Sequence, residues 1–429
     1  MRNIHLPIIL SLFLLNCSTN DSGAEEIMDE PNLPSLTTSL VQEITQNSAL
    51  SGGNISDDGG VSIIARGVCW SLNQNPTIQN DRTQDGNGIG EFTSVIEGLT
   101  ANTTYFLRSY ATNSVGTSYG EERSFTTSEV EAKIFDGDIV FLIQEEIDDF
   151  GNQGYTEITG NVEIGNINVA STTSISNLEG LSTINSVGGN LTLHANDALN
   201  SLEGLRNLEV IGGELFLSSN KAFDNIDGLN NLRTIGEGLR VVQNSALSNL
   251  DGLSNLTEIG NLLLIFNNDE LVNVDGLNNL ISVGFDIAIR NNDKLSEINS
   301  FNNLEFSTGL SISDNSTLNT INGFSSLKTI QLFLVIENNN SLSSFNGFGE
   351  LESIGSNLEI NNNGALTSLD GLVKLISLGE SLTVIQNTEL VDFCGIDTLI
   401  KTGFTGSYEV SENAYNPSQQ EILNGNCQN

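Results

Sequence analysis

The sequence predicts an all-β chain, a small β-sandwich followed by a β-solenoid of about ten turns, and three observations carry that prediction. Nine consecutive windows start at Gly180, Gly204, Gly228, Gly252, Gly276, Ser300, Gly323, Gly347 and Gly371 and close at Gly395. They are spaced 24 residues apart, except for 23 between Ser300 and Gly323. A strict period of this size belongs to a solenoid, whose turns bury their apolar faces only against one another. Within a window the apolar residues fall two apart, as at Leu191 and Leu193, or three apart, as at Leu199, Leu202 and Leu205. That pattern suits short strands and tight corners and leaves no room for a long helix. Residues 34–128 lack the period and have the length of one small sandwich.

The elements follow in chain order. Residues 1–16 carry Arg2 and then an apolar run from Leu6 to Leu15. The run is too short to span a bilayer and long enough for a signal peptide. Leu14-Leu15-Asn16-Cys17 resembles a bacterial lipoprotein box, with Asn16 where a small residue is usual. The resemblance implies cleavage before Cys17 and lipidation of its thiol and new amino terminus. It also implies a cell-envelope location, lipid-anchored on the outer membrane and exposed at the surface. Residues 17–33 would then be the lipidated Cys and a polar, acidic tether.

In residues 34–128 the stretch Gly98-Leu-Thr-Ala-Asn-Thr-Thr-Tyr105, then Arg108, Tyr110-Ala-Thr-Asn113 and Gly116, resembles the second half of a fibronectin type III domain. The resemblance implies a β-sandwich with Tyr105 as the corner tyrosine, its hydroxyl returning to the preceding loop. Trp70, the only Trp, is expected in the core, and Cys69 as a buried small hydrophobe. The domain would act as a spacer.

Residues 129–429 hold the repeats and their caps. Ile139-Val-Phe-Leu142 and then Gln144 to Phe150 read as a strand and a short amphipathic helix closing the first end. The repeats share G-L-x-x-L-x-x-I-G-x-x-L-x-I-x-x-N-x-x-L-x-x-L-x. The glycines at the start and after the Ile are expected at positive-φ corners. The Asn column is Asn196, Asn220, Asn244, Asn268, Asn292, Asn315, Asn339, Asn363 and Asn387, with Asn413 continuing it in a divergent last turn. A polar residue inside a stack must satisfy its hydrogen bonds, so the column is structural and takes no ligand. Past Cys394 the template degrades, and a disulfide from Cys394 to Cys427 would pin the final turn.

The L-x-L-x-x-N core is shared with leucine-rich repeats. A Leu three residues after the Asn, and an Ile-Gly ahead of the strand, look more like the receptor L domain. The resemblance spans roughly residues 134–427 and implies a right-handed β-helix. It carries over no particular ligand.

The chain has 15 basic and 54 acidic residues, a net charge of −39. Loss of Arg2 with the signal peptide leaves 14 against 54, or −40. Such a surface argues against nucleic acid, and against direct contact with anionic lipid or polysaccharide. Membrane contact would be through the lipid anchor only. His194 is the one histidine after position 16. With no second His, no nucleophile motif and no His/Cys cluster at ligand spacing, we expect no catalytic residues, no metal site, no cofactor and no enzyme activity. Glycan cleavage by paired carboxylates is the weakest reading, since the acids do not cluster on neighbouring turns.

The outward side of the strands is the place to look for function. With Leu191 and Leu193 types inward, one outward column runs Thr192, Phe216, Arg240, Leu264, Ala288, Ser311, Val335, Glu359, Thr383. Its neighbour runs His194, Ser218, Val242, Phe266, Arg290, Ser313, Glu337, Asn361, Ile385. Stacked about 4.8 Å apart, Phe216, Arg240, Val242, Leu262, Leu264, Phe266 and Arg290 would form one apolar patch with an Arg rim. Such groups are enriched where proteins bind. They also favour strands for their own sake, and the patch could pack within the chain. The expectation is a non-catalytic binding or adhesion module for a protein or glycan, with a purely structural envelope protein as the alternative.

Overall fold

The computed structural model describes residues 30–129, 131–165 and 174–429. The expected signal peptide, the lipidation at Cys17 and residues 17–29 of the tether lie outside them. The chain divides between Glu131 and Ala132 into two compact units.

Among its described residues the first unit has eight strands: β1 (Ser35–Thr38), β2 (Ser48–Asp57), β3 (Ala65–Ser71), β4 (Asp81–Arg82), β5 (Gly90–Glu97), β6 (Thr104–Thr112), β7 (Thr117–Tyr119) and β8 (Arg123–Thr126). One antiparallel sheet is ordered β1-β2-β5. The other is β4-β3-β6-β7, with β8 also on β6. In β5 buried Phe92, Ser94 and Ile96 alternate with exposed residues, as a strand with one covered face requires. Ile55, Val68, Ile96, Leu107 and Phe125 share one core. The Thr100 N–H donates to the Tyr105 hydroxyl at 3.0 Å, tying the corner to its loop. Cys69 is buried, and burial pushes its thiol up to about 11. Trp70 differs from expectation. It is only half-buried at the margin of this core, because β4, its neighbour on the sheet edge, is two residues long.

In the second unit the repeats stack strand on strand. A twelve-stranded parallel sheet runs from Ile139–Phe141 and Val162–Ile164 through Leu191–His194, Leu215–Ser218, Leu239–Val242, Leu263–Phe266 and Asp286–Arg290 to Ser407–Ser411. Shorter strands, two residues per repeat, form further parallel sheets, one of seven strands ending at Ser282–Val283 and one of four starting at Phe306–Ser307. The break coincides with the short repeat. Phe306 follows Ser282 by 24 residues but Gly309 follows Asp286 by 23, so the missing residue falls between the two strands. Most repeats turn through a three-residue 3₁₀ segment such as Asp251–Leu253.

Each strand alternates buried and outward residues, and the buried set makes one continuous core of Leu, Ile, Val and Phe. Phe301, Phe324 and Phe348 stack at 4.8 and 5.3 Å between ring centroids. The helix Gln144–Gly151 lays Ile147 and Phe150 on the first end of the core. Cys394 and Cys427 are disulfide-bonded, with Cα atoms 5.0 Å apart, and the Phe393 N–H donates to the Cys427 carbonyl at 2.8 Å.

The repeat glycines are there for a reason other than the expected one. Gly252 and its equivalents do not take positive φ. A Cβ on Gly252 would stand 1.9 Å from the Ile226 carbonyl oxygen of the turn before. Close approach of successive turns excludes the side chain. The left-handed position belongs to the residue just ahead of the ladder Asn, for example Ser219 (φ 58°), Gln243 (φ 56°) and Asn267 (φ 59°). Short polar side chains tolerate that conformation better than β-branched ones.

Candidate functional site

Strand register fixes what stands beside what on the outward face. Thr192, Phe216, Arg240, Leu264, Ala288, Ser311, Val335, Glu359 and Thr383 are consecutive partners, with Glu163 and Glu409 at the ends. His194, Ser218, Val242, Phe266, Arg290, Ser313, Glu337, Asn361 and Ile385 form the second column. Phe216, Val242, Leu264 and Phe266 thus lie on three adjacent strands, half-buried by one another, with Leu262 at the entry of the third. Arg240 is exposed on the second of these strands and Arg290 on the strand that follows the third.

The two arginines are not equivalent. Arg240 Nε lies 2.7 Å from Glu214 Oε1 on the preceding turn. Burial pushes the Glu214 carboxyl up from its ordinary range, and Arg240 pulls it back down. Ten Lys and Arg follow Glu131 in the sequence. Eight are in ion pairs, seven of them between successive turns and one within the short helix Asp397–Lys401. Lys133 sits over the Tyr155 ring. Arg290 is the one left without an ion pair among the described residues, and it lies beside Phe266 in the register.

Past Arg290 the face steps down. Ala288, Ser311 and Ser313 point outward, yet are 6%, 5% and 2% exposed, because their bulkier neighbours overhang them. Phe333 leans over Gly309, where a Cβ would meet its ring at 2.6 Å. Farther along the columns turn acidic and polar, with Glu337, Glu359, Asn361 and Glu409. Burial raises the Glu337 carboxyl, Asp314 and Glu359 raise it further, and Arg290 opposes them.

The Asn ladder stands apart from this face, fully buried. The Asn268 Oδ1 accepts from the Asn244 N–H at 3.0 Å and its Nδ2 donates to the Val241 carbonyl at 2.9 Å. The same bonds recur from Asn196 to Asn387, and Asn413 Oδ1 accepts the Asn387 N–H at 2.9 Å. The ladder leaves no amide group over for a ligand. A second Asn row escaped the sequence reading. Asn207, Asn231, Asn255, Asn279 and Asn303 each donate from Nδ2 to a carbonyl of the turn before, at 2.6–3.0 Å. Its signal was legible, an Asn three residues after each of the five consecutive repeat starts from Gly204 to Ser300. Among the described residues no three His, Cys, Asp or Glu stand close enough to hold a metal ion. His194 is half-exposed on the strand face.

The receptor L domain family matches residues 154–244, within the stacked repeats, and points to a binding module. No curated protein matches the chain. Among solved structures, the fourth FNIII domain of a human protein is 22% identical, over 26% of this chain and 93% of that one, with a TM-score of 0.21. A myokine structure is 19% identical over 23% of this chain and all of that one, with a TM-score of 0.19. Pectate lyase Pel3 from Pectobacterium carotovorum is 7% identical over 70% of this chain and 86% of that one, with a TM-score of 0.16. Likenesses this low say nothing of activity.

Proposed function

We propose that the chain is a lipid-anchored cell-envelope protein whose repeats form a right-handed β-solenoid of about ten turns. It binds a protein partner, without catalysis, through the strand face around Phe266. The fibronectin-type sandwich is its spacer from the membrane. The observation that carries this is Arg290. On a chain with far more acids than bases, where nearly every cation of the repeats is held by a carboxylate, Arg290 has no such partner among the described residues and stands beside Phe266, at the edge of the patch that runs back through Leu264 and Val242 to Phe216. An Arg beside half-buried aromatics is the composition of interface hot spots. A flat apolar patch of this kind suits a protein better than a glycan. The family match to residues 154–244 supports a binding role. The anchor rests on Cys17 and its preceding apolar run.

A photo-crosslinking residue placed at Phe266 of the full chain tests the interface, with another at Thr383 as control. The expected result is one envelope or host protein crosslinked from position 266 alone, and lost in Leu264→Asp/Phe266→Asp. Equal capture from both positions, or unchanged capture by the double variant, would move the function to a structural role in the envelope.

A further inference from the structure

A second site lies in the first unit, independent of the strand face. Where β3 ends, Trp70, Asn73, Gln79, Asn80 and Asp81 line an open cleft of about 540 Å³ with the corner Tyr105 among its walls. Trp70 is directly opposite Asp81 in the β3–β4 pair, so indole and carboxylate share one face. The Asn73 and Gln79 amides, the Asn80 NH₂ and the Asp81 carboxylate make no hydrogen bond or ion pair among the described residues. The loop that carries them is nonetheless well held. Asn75 N–H donates to the Glu122 carboxylate, Ile78 N–H to the Tyr119 hydroxyl at 3.1 Å and Thr77 N–H to Asn80 Oδ1 at 2.9 Å. The Arg82 guanidinium donates to the Ile78 carbonyl. The backbone is therefore preorganised, which lowers the ordering cost of binding, while the exposed polar side chains on the cleft are left over to meet a ligand.

We infer that this cleft binds a neutral saccharide. An indole offers an apolar plane for the C–H face of a pyranose ring. Amides that both donate and accept, next to an acceptor-only carboxylate, match adjacent hydroxyls. The chain's net charge of −39 and Asp81 itself disfavour an anionic sugar. The sandwich would thus be a recognition domain in its own right.

Trp70 is the only Trp in the chain, so its fluorescence reports this cleft alone. The full chain would be titrated with maltohexaose, cellohexaose, mannohexaose and chitohexaose, and with oligogalacturonate as the anionic comparison. At least one neutral oligosaccharide should shift the emission saturably below about 10 mM, the weak end of specific binding. Asn73→Ala/Gln79→Ala and, separately, Asp81→Asn should weaken that binding at least tenfold at an unchanged melting temperature. Leu264→Asp/Phe266→Asp should leave it untouched, which separates this site from the strand face. No shift with any neutral sugar, a shift with oligogalacturonate alone, or the same affinity in both cleft variants would overturn the inference.

Discussion

Asn268 shows what one residue does in a stacked chain. Its amide closes hydrogen bonds to the turns on both sides, so removing it orphans the Asn244 N–H and takes a donor from the Val241 carbonyl inside the core. Each buried polar group left unpaired costs roughly 1–3 kcal/mol. Asn268→Ala should therefore lower unfolding stability by about 2–5 kcal/mol in urea titrations, far more than Asn267→Ala beside it. Gly252→Ala should also be severe, since the new methyl group meets backbone rather than a movable side chain. Glu214 and Glu337 make a pH prediction. Both carboxyls are raised in the folded chain, chiefly by burial, so between the ordinary value of 4.5 and the raised one the folded state holds more protons than the unfolded state. Stability must then fall as pH rises through that window. Glu214→Gln/Glu337→Gln should flatten the fall in melting temperature between pH 4 and pH 7. An unchanged slope would show that these two groups do not contribute. At this scale the sequence was legible where a residue recurs. The ladder Asn was plain, whereas the role of Gly252 was misassigned, because a pattern of glycines does not distinguish a left-handed corner from a close contact.

Among elements, register was the most legible property. A repeat of 24 gives the offset between neighbouring strands and a side-chain period of two gives the face, and together they place Phe216 beside Arg240 and Phe266 beside Arg290. The sandwich has no repeat to supply the offset. Trp70 was accordingly expected in the core, and only the shortness of β4 reveals that it is half-open. The inter-turn ion pairs were hidden too, since a Lys and an acid 24 residues apart are conspicuous only once the turns are known to stack. The last element is held by covalent chemistry. Cys394 and Cys427 close a segment of 33 residues, worth about 3–4 kcal/mol in loop-closure entropy. Since a turn contacts only its neighbours, Cys427→Ser should raise hydrogen exchange in Ser407–Ser411 and its flanks while leaving Leu191–His194 protected. Uniform loss of protection would mean that the repeats unfold as a single block.

At the scale of the whole molecule, charge decides between two opposite effects of salt. Seven inter-turn ion pairs would be weakened by screening, but exposed pairs of this kind contribute about 0–1 kcal/mol each. Against them stands the mutual repulsion of 54 acids facing only 15 bases, which also destabilises the compact chain. Screening shortens from about 30 Å at 0.01 M salt to about 3 Å at 1 M, and it acts on the long-range repulsion before the contact pairs. Added NaCl should therefore raise the melting temperature at neutral pH, by about 2–4 °C for each kcal/mol of repulsion removed in a unit of this size. The gain should shrink as acid neutralises the carboxylates, so that salt and low pH substitute for one another. A melting temperature that falls with salt would instead make the ion-pair ladder a principal support of the stack. Lys294→Met and Lys374→Met should then be as damaging as loss of a core leucine. If repulsion dominates, both substitutions will change stability by less than about 1 kcal/mol, because each removes one exposed pair and no packed side chain.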